Sequence, residues 1–374
     1  MKLLFVSPDL THHLVPFFTS LFNYYGKENC TFAVLATSPQ RLKMGFPEFK
    51  ESWVFEAYNH SYSEYSKLWQ NADIIITRSW NDTKLIEQAL NLGKIVFYAS
   101  ERWYRPPIGI KRLLFPKYIK LYLSFRKLSK YKNFNYLAMG YYAGLDFKKV
   151  KLCRNRIFSF GYFTPQSRPS LHKLRNDNTI KLIWVGNILK LKRVIDILSV
   201  YKDLQKKYNI SLDIIGEGEE RNNLETYSRK NRLSNIRFID FIPNDKVKEL
   251  MNNADIYIFP SNGYEGWGAV VNEAMQSKCA VVASQETGAA RSIIKNNYNG
   301  LTYPTGNREA LKLALVSLLE NKELLNSIKE NGYNTIRTTW SAEEAARRFS
   351  IVTDRIINND TLSIFEDGPM QIIG

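Results

Sequence analysis

Two carboxylates, Glu265 and Glu273, lie eight positions apart, with a tryptophan between two glycines directly after the first. The apolar run 254–259 precedes them and ends at Pro260 and Ser261, as a buried strand followed by a polar loop would. Ligands of an open parallel sheet bind beyond the carboxyl ends of its strands, so this is a place where a binding crevice can open. Carboxylate oxygens there would accept hydrogen bonds from a ligand rich in hydroxyl groups.

The spacing of the two carboxylates suits a long ligand. A helix that begins near Gly268 turns its first unpaired N–H groups, with a partial positive charge, towards the loop that carries Glu265. Glu273 then lies roughly 8 Å along the axis, so the two carboxylates hold separate parts of one ligand rather than one small ion. A nucleotide-sugar has that shape. The alternative is structural, with Glu273 a solvated helix residue and Glu265 an acidic charge near a helix N-terminus.

Two adjacent histidines, His12 and His13, lie in the loop that follows the first apolar run. In a loop that faces a cleft, such a pair could bind phosphate or transfer protons. The alternative is a surface or helix-capping pair.

An acidic side chain, Glu101, directly follows the apolar run Ile95–Ala99. That position is the carboxyl end of a predicted strand, where crevice residues arise. The alternative for Glu101 is an ion pair with Arg102 or Arg105.

The elements that must position these residues repeat in two halves. Short apolar or β-branched runs alternate with helical patterns, which predicts an α/β chain with mostly parallel, doubly wound sheets. The runs lie at Lys2–Val6, Phe32–Thr37, Ser52–Ala57, Asp73–Thr77 and Ile95–Ala99, and then at Ile180–Val185, Leu212–Ile215, Ile236–Phe241, Asp255–Phe259 and Ala280–Ala283.

Length and turn chemistry predict two domains. At 374 residues and 44% hydrophobic content, the chain exceeds one typical core. Residues 166–178 are rich in proline, serine and asparagine, which predicts a linker between a domain at 1–165 and one at 179–340. A capping box at Ser341 predicts a helix in 341–374, which we expect to pack back on the first domain.

The net charge of +16 is concentrated in one segment. Between Arg102 and Arg156 there are fifteen Lys or Arg residues and one acid, Asp146, an excess of fourteen positive charges. Apolar residues recur there at helical spacing, which predicts an amphipathic helix with Pro116 in its first turn. These residues are Leu114, Tyr118, Leu121, Phe125 and Leu128. A basic, aromatic-rich helix can lie on anionic lipid headgroups; a solvated basic face and a nucleic-acid surface are the alternatives.

Cysteine usage and hydropathy favour a cytoplasmic protein. Cys30, Cys153 and Cys279 have neither metal-ligand nor redox spacing, which suits a reducing compartment. The apolar run at the N-terminus is too short for a signal peptide, and no run approaches the about 18 residues that span a bilayer. We therefore expect the cytoplasm, with peripheral attachment to the inner face of the plasma membrane.

Four stretches of the second half, taken together in their order, are specific. They are Val185–Lys192, Ile214–Gly218, Phe238–Pro243 and Glu265–Ala274. With them the chain resembles glycosyltransferase family 4, whose members are retaining enzymes of GT-B architecture, over the region Ile180 to Pro304. The resemblance implies two Rossmann-like domains that face each other across a cleft, the N-terminal one for the acceptor and the C-terminal one for the sugar donor.

The resemblance also implies roles for the acidic and basic side chains. Lys192 would grip the donor diphosphate, where a point charge suits a leaving group whose negative charge grows. Glu273 would accept hydrogen bonds from the ribose hydroxyls. Glu265 would hold hydroxyls of the donor sugar, and with Lys192, His12 and Glu101 it completes the set of candidate catalytic residues.

Main chain and small residues would complete the donor site by the same resemblance. The N–H groups of Gly266, Trp267 and Gly268 would assist Glu265, since glycines let the main chain approach a ligand closely. Main chain near Ile242, with Asn244, would face the base. The remaining donor-site residues would be Gly186, Asn187, Gly216 and Glu217.

The chain departs from the family pattern at three places. Asn187 stands where the family usually has an arginine, so Lys190 or Arg193 would have to supply that charge. Arg291 stands where an acidic residue is common. The loop 7–13 lacks the glycine pair that often touches the diphosphate and the acceptor.

These features together predict a retaining hexosyltransferase that uses a nucleotide-diphosphate sugar, with uridine ahead of guanosine as the base. A glycan or a polyprenyl-diphosphate-linked acceptor in capsule, O-antigen or exopolysaccharide synthesis is expected. The segment 102–156 would contact an anionic membrane surface, and no nucleic-acid partner is expected. There is no Asp-x-Asp sequence, so we expect no metal and no other cofactor. The alternatives are a sugar-nucleotide epimerase or other GT-B enzyme, and a non-catalytic module that binds nucleotide-sugar or nucleic acid.

Overall fold

The computed structural model describes residues 1–36, 50–166 and 178–373. The chain forms two compact units, one of Met1–Pro165 with Thr339–Gly374 and the other of Gln166–Thr338. Most of the predicted linker, residues 167–177, lies outside the described residues. Each unit has its own parallel sheet.

The first unit is built on seven parallel strands in the order β3-β2-β1-β4-β5-β6-β7. The strands are β1 Leu3–Ser7, β2 Cys30–Val34, β3 Val54–Glu56, β4 Ile74–Thr77, β5 Ile95–Ser100, β6 Phe134–Met139 and β7 Ile157–Phe160. Its helices before the second unit are α1 Val15–Ser20, α2 Phe22–Tyr25, α3 Tyr62–Asn71, α4 Thr83–Asn91, α5 Pro116–Leu128 and α6 Tyr141–Lys149. The strand order reverses between β1 and β4, which makes this a topological switch point where ligands bind in such sheets.

The second unit has six parallel strands in the order β10-β9-β8-β11-β12-β13. They are β8 Ile180–Val185, β9 Ile210–Ile215, β10 Ile236–Ile239, β11 Ile256–Phe259, β12 Ala280–Ser284 and β13 Leu301–Tyr303. The helices are α7 Val194–Leu204, α8 Arg221–Lys230, α9 Asn244–Asn252, α10 Val270–Gln276, α11 Gly288–Ile293, α12 Arg308–Glu320 and α13 Lys322–Arg337. Here the order reverses between β8 and β11, the second switch point.

The ten predicted runs all overlap strands of the two sheets, so the doubly wound α/β architecture is confirmed. Central strands such as β4 and β11 are buried along their whole length, as strands covered by helices on both faces must be. The patterns did not predict β6, β7 and β13. In β6 the polar Asn135 interrupts the apolar run, and it is tolerated because its amide donates to the Val96 carbonyl oxygen (3.4 Å).

The predicted basic helix forms as α5, with Pro116 in its first turn. Phe125 and Leu128 are buried in the core of the first unit. The placement of Leu114 in the same buried stripe is wrong: it ends a 3-10 turn, Gly109–Leu114, that precedes the helix, and it is 79% exposed. None of the helices in the described ranges combines the length and apolar character that crossing a membrane requires.

The C-terminal helix, α14 Ala342–Asn358, belongs to the first unit. It begins at Ser341, whose hydroxyl accepts a hydrogen bond from the Glu344 N–H group (3.0 Å). Phe349 is fully buried, with its ring 4.7 Å from that of Phe97 and 5.8 Å from that of Phe17. The helix therefore closes the core beneath the sheet although it follows the second unit in sequence.

Replacing Phe349 with alanine should lower the free energy of unfolding of the first unit by about 3–5 kcal/mol, because it leaves a cavity among aromatic rings. The measurement is urea denaturation followed by tryptophan fluorescence. Ile357→Ala is the matched control, since Ile357 lies on the same helix and is 45% exposed. We expect the control to change stability by less than about 0.5 kcal/mol. Equal effects of the two variants would contradict the assigned packing of α14.

Candidate functional site

The loops after β8 and β11 leave the sheet of the second unit at its switch point. The first loop carries Lys192, at the end of the 3-10 turn Lys190–Lys192. The second carries Glu265. The two loops are joined by the Asn262 N–H group, which donates to the Leu191 carbonyl oxygen (3.0 Å).

The Lys192 ammonium forms an ion pair with the Glu265 carboxylate. Their side chains are 19% and 17% exposed, so the pair is largely shielded from water but can still be reached from solvent. The attraction is stronger there than at an open surface, because the local dielectric is lower. The structure thus brings together two of the predicted donor-site charges, and each neutralises the other.

The second carboxylate, Glu273, lies half-buried in the first turn of α10. Both Glu273 and Glu265 act on the hydroxyl of Tyr257, in β11. The pKa of the Tyr257 hydroxyl is raised well above its usual value, first by burial and then by the negative charges of Glu273 and Glu265. The protonated hydroxyl donates to the Val185 carbonyl oxygen (3.2 Å), which links β11 to the end of β8.

The segment between the two carboxylates is anchored to α11. The N–H groups of Gly288 and Ala289 donate to the carbonyl oxygens of Gly266 (3.1 Å) and Trp267 (2.8 Å). A Cβ atom at Gly288 would overlap the Gly266 carbonyl oxygen, so this close approach requires glycine. The first N–H groups of α11 therefore hold the loop in place.

The Trp267 side chain is buried and connects its loop to α10. It is 1% exposed, and its indole N–H group donates to Oδ1 of Asn272 (2.9 Å) on α10. Gly268 has a φ of +89°, and a Cβ there would overlap the Phe259 ring. The indole and the glycine together fix the turn from the loop into α10.

The glycine-containing loop after β8 packs against the glycine-containing loop after β9. A Cβ atom at Gly216 would overlap the Gly186 carbonyl oxygen, and one at Gly218 would overlap that of Ile188. The Ile188 N–H group donates to the Glu217 carbonyl oxygen (2.7 Å). These glycines therefore let the two loops pack main chain against main chain, which no side chain would permit.

The remaining predicted donor residues lie at the same edge of the sheet. Asn187 and Glu217 are exposed, and the Glu217 carboxylate accepts from the Phe241 N–H group (3.4 Å). Ile242 is half-buried, and Asn244 begins α9.

Lys190 and Arg193, the two candidates to replace the family arginine, differ in their surroundings. Lys190 is exposed. The Arg193 guanidinium donates to the Asp196 carboxylate (2.7 Å), which is 2% exposed and also binds Arg308 (2.7 Å). Arg193 thus already neutralises a buried charge, which makes Lys190 the better candidate for the missing cation.

The first unit has a polar cluster at its own switch point, centred on Arg78, which directly follows β4. The Arg78 guanidinium donates to the Ser7 hydroxyl (3.1 Å) at the end of β1 and to the Tyr162 hydroxyl (3.0 Å). It also lies 3.5 Å from the Asp9 carboxylate. Sequence reasoning missed both Arg78 and Tyr162, although the position of Arg78 after a strand was a usable signal.

Tyr162 connects this cluster to residues that were predicted. Its hydroxyl donates to the Glu101 carboxylate (3.4 Å), and burial raises the pKa of that hydroxyl, so the donor proton is retained. Glu101 also binds Arg105 (2.6 Å), the ion pair that was its alternative interpretation. The His13 ring lies 5.9 Å from the Tyr162 ring and 3.7 Å from the His12 ring.

A family profile described as "Glycosyl transferases group 1" matches residues 170–335. Among curated proteins, an uncharacterised glycosyltransferase of Methanocaldococcus jannaschii is 30% identical over 186 residues, which are 48% of this chain and 46% of that protein. A phosphatidyl-myo-inositol mannosyltransferase of Mycobacterium leprae is 33% identical over 135 residues, 36% of this chain and 35% of that protein. Both matches span less than half of the relative.

Similarity to solved structures extends over most of the chain. The chain is similar to the crystal structure of Anabaena HepE in complex with UDP, with a TM-score of 0.72 and 13% identity. The similar region covers 95% of this chain and 100% of that chain. At such identity the likeness concerns the fold, which is the GT-B fold. Residues 170–335 are therefore similar to the glycosyl transferases group 1 family, within a chain whose fold is that of solved glycosyltransferases.

Proposed function

We propose that this protein is a retaining glycosyltransferase that moves a hexosyl group from a nucleotide-diphosphate sugar to a hydroxyl of its acceptor. The observation that carries the proposal is the Lys192–Glu265 ion pair at the switch point of the family-matched unit, with Glu273 in the first turn of the helix that follows the Glu265 loop. One cation and two carboxylates suit a ligand that has a diphosphate and hydroxyl groups at both ends. Uridine is the base we propose first and guanosine second, and HepE was solved with UDP bound.

Donor binding would exchange the partners of the Lys192–Glu265 pair. The ammonium would turn to the diphosphate, and the carboxylate would accept hydrogen bonds from hydroxyls of the sugar, assisted by the main chain of residues 266–268. Glu273 would hold the ribose hydroxyls, and the loop around Ile242 and Asn244 would face the base. Each charge keeps a partner before and after binding, so neither is left uncompensated in a partly buried site.

The transfer step would need no protein nucleophile. As the bond between the anomeric carbon and the diphosphate breaks, negative charge grows on the leaving oxygens, where Lys192 and Lys190 stabilise it. The acceptor hydroxyl attacks the anomeric carbon from the same face and loses its proton to the leaving diphosphate. The products are the glycosylated acceptor with retained configuration and a nucleoside diphosphate. Exclusion of water from the site would protect the bound donor from hydrolysis.

The acceptor side would be the cluster of the first unit. Arg78 and Glu101, joined through Tyr162, provide a donor and an acceptor of hydrogen bonds at the carboxyl edge of that sheet. His12 and His13 lie beside them through the His13–Tyr162 contact. We propose a glycan or lipid-linked glycan of a bacterial surface polysaccharide as the acceptor. A related mycobacterial enzyme acts on phosphatidyl-myo-inositol, as its name states.

Lys192→Met should weaken UDP binding by about 10- to 100-fold, because a hydrogen bond to a charged group is lost. Isothermal titration and thermal shift with UDP, UDP-glucose and GDP-mannose measure this, since a ligand of the folded state raises the melting temperature. Lys246→Met is the matched control, as Lys246 forms an exposed ion pair with Glu249 in the same unit. Equal UDP affinity of the two variants would contradict the role of Lys192.

Glu265→Gln should separate binding from transfer. The substitution releases Lys192 from its ion pair, so UDP should bind as tightly as before or more tightly. The rate of transfer should fall about 100-fold, because the neutral amide forms weaker hydrogen bonds with the sugar hydroxyls than the carboxylate does. Product analysis with and without acceptor gives the transfer rate and distinguishes transfer from epimerisation. Glu249→Gln is the control. Unchanged transfer by Glu265→Gln would remove Glu265 from the catalytic set.

Transfer should persist in excess EDTA, because the diphosphate charge would be met by Lys192 and by main-chain N–H groups and not by a divalent ion. The measurement is the initial rate after dialysis against EDTA, with and without added Mg²⁺ or Mn²⁺. Loss of activity that either metal restores would refute this prediction.

A further inference from the structure

Helix α5 is apolar on two opposite faces. Its inner face packs into the core of the first unit through Phe125 and Leu128. Its outer face carries Phe115, at the N-cap, then Ile119 and Leu123, which are 52%, 42% and 55% exposed. These three recur at intervals of four and so align on one side of the helix. A helix that is apolar on both faces is normally covered on both.

The exposed apolar surface continues into the 3-10 turn that packs against α5. Ile108, Ile110 and Leu114 are 42%, 49% and 79% exposed. Six of the 17 large hydrophobic side chains that are exposed in the described ranges therefore lie between residues 108 and 123. We call these six the 108–123 apolar surface. Such a concentration marks an interaction site, since single exposed apolar residues are normally scattered.

The rim of the 108–123 apolar surface is basic. Lys111, Lys117, Lys120 and Arg126 are exposed around it, and the sequence from Arg102 to Leu145 contains no acidic residue. Lys117 lies 4.7 Å above the ring of Trp80, which is itself 44% exposed. An aliphatic centre with a basic rim and a neighbouring tryptophan is complementary to the headgroups and upper acyl chains of an anionic bilayer.

The outward side chains favour lipid over nucleic acid. Five of the six side chains of this surface are isoleucine or leucine, which can neither stack on bases nor bind phosphate. The acyl boundary of a bilayer would accept them, while the lysines reach phosphate groups at the same depth. The rest of the segment 102–156 contributes little to this surface, because β6 is buried along its whole length and α6 buries Phe147.

We propose that α5 and the preceding turn lie in the surface of an anionic bilayer, with Phe115, Ile119 and Leu123 entering the acyl boundary. The biological role of this binding rests on the proposed function, since membrane binding would hold the acceptor-side unit at the surface that contains a lipid-linked acceptor. The binding itself requires no transfer and can be tested separately.

The test is co-sedimentation of the full chain with vesicles of phosphatidylcholine alone or with about one third phosphatidylglycerol. Wild type binds the anionic vesicles, and added salt weakens the binding because the basic rim contributes. Ile119→Ser combined with Leu123→Ser lowers the vesicle partition coefficient at least about 10-fold. Lys117→Gln with Lys120→Gln also lowers it, and more strongly at low salt. Leu313→Ser with Ile357→Ser, at exposed positions of 62% and 45% elsewhere, leaves it unchanged.

Thermal shift with UDP, measured on every variant, shows that each remains folded and separates this inference from the proposed function. UDP binding without anionic-vesicle binding by wild type overturns the membrane surface and leaves the glycosyltransferase proposal standing. Vesicle binding without any nucleotide-sugar binding or transfer overturns the proposed function alone. A further outcome is that wild type binds no vesicles and forms a dimer that the double variant Ile119→Ser with Leu123→Ser dissociates. That result would show that a second copy of the chain covers this surface instead of a bilayer.

Discussion

The shielded ion pair between Lys192 and Glu265 joins the two loops that diverge at the switch point of the second unit. In a doubly wound sheet, neighbouring strands send their connections in opposite directions at one place, and the gap that results is where a ligand can reach the strand ends. The chain places opposite charges on the two sides of that gap. Tyr257 ties β11 to the end of β8, the two strands whose following loops carry the pair.

Glycine is what lets the surrounding loops come this close. Gly216 and Gly218 press against the main chain of the loop after β8, and Gly288 presses against the main chain between Glu265 and Gly268. Each contact brings one loop's backbone to the distance where only a hydrogen atom fits. The loops that carry the charged side chains are thereby braced by their neighbours.

Residues that directly follow a clear apolar run could be found from the sequence, because a parallel sheet gathers all its carboxyl ends at one edge. Glu101 and the loop that carries Glu265 were identified in this way, and β8 was predicted with its observed bounds, Ile180–Val185. Lys192 was identified by the resemblance to a known family. Arg78 also directly follows such a run, and that signal was overlooked. Tyr162 could not be found because its importance comes from a contact with Arg78, 84 positions away. β6 escaped because its polar Asn135 and its basic neighbours mask a strand that only tertiary packing reveals.

A site whose charges neutralise each other also selects among ligands. A neutral sugar has nothing to offer Lys192 in exchange for the Glu265 carboxylate, so its binding would have to leave the pair intact or separate it without compensation, at a cost of several kcal/mol. A diphosphate supplies negative charge to the ammonium, and the attached sugar supplies hydroxyls to the carboxylate, so that both partners are replaced in one event. For the proposed donor, the ion pair therefore favours ligands in which sugar and diphosphate are joined, and it disfavours either part alone.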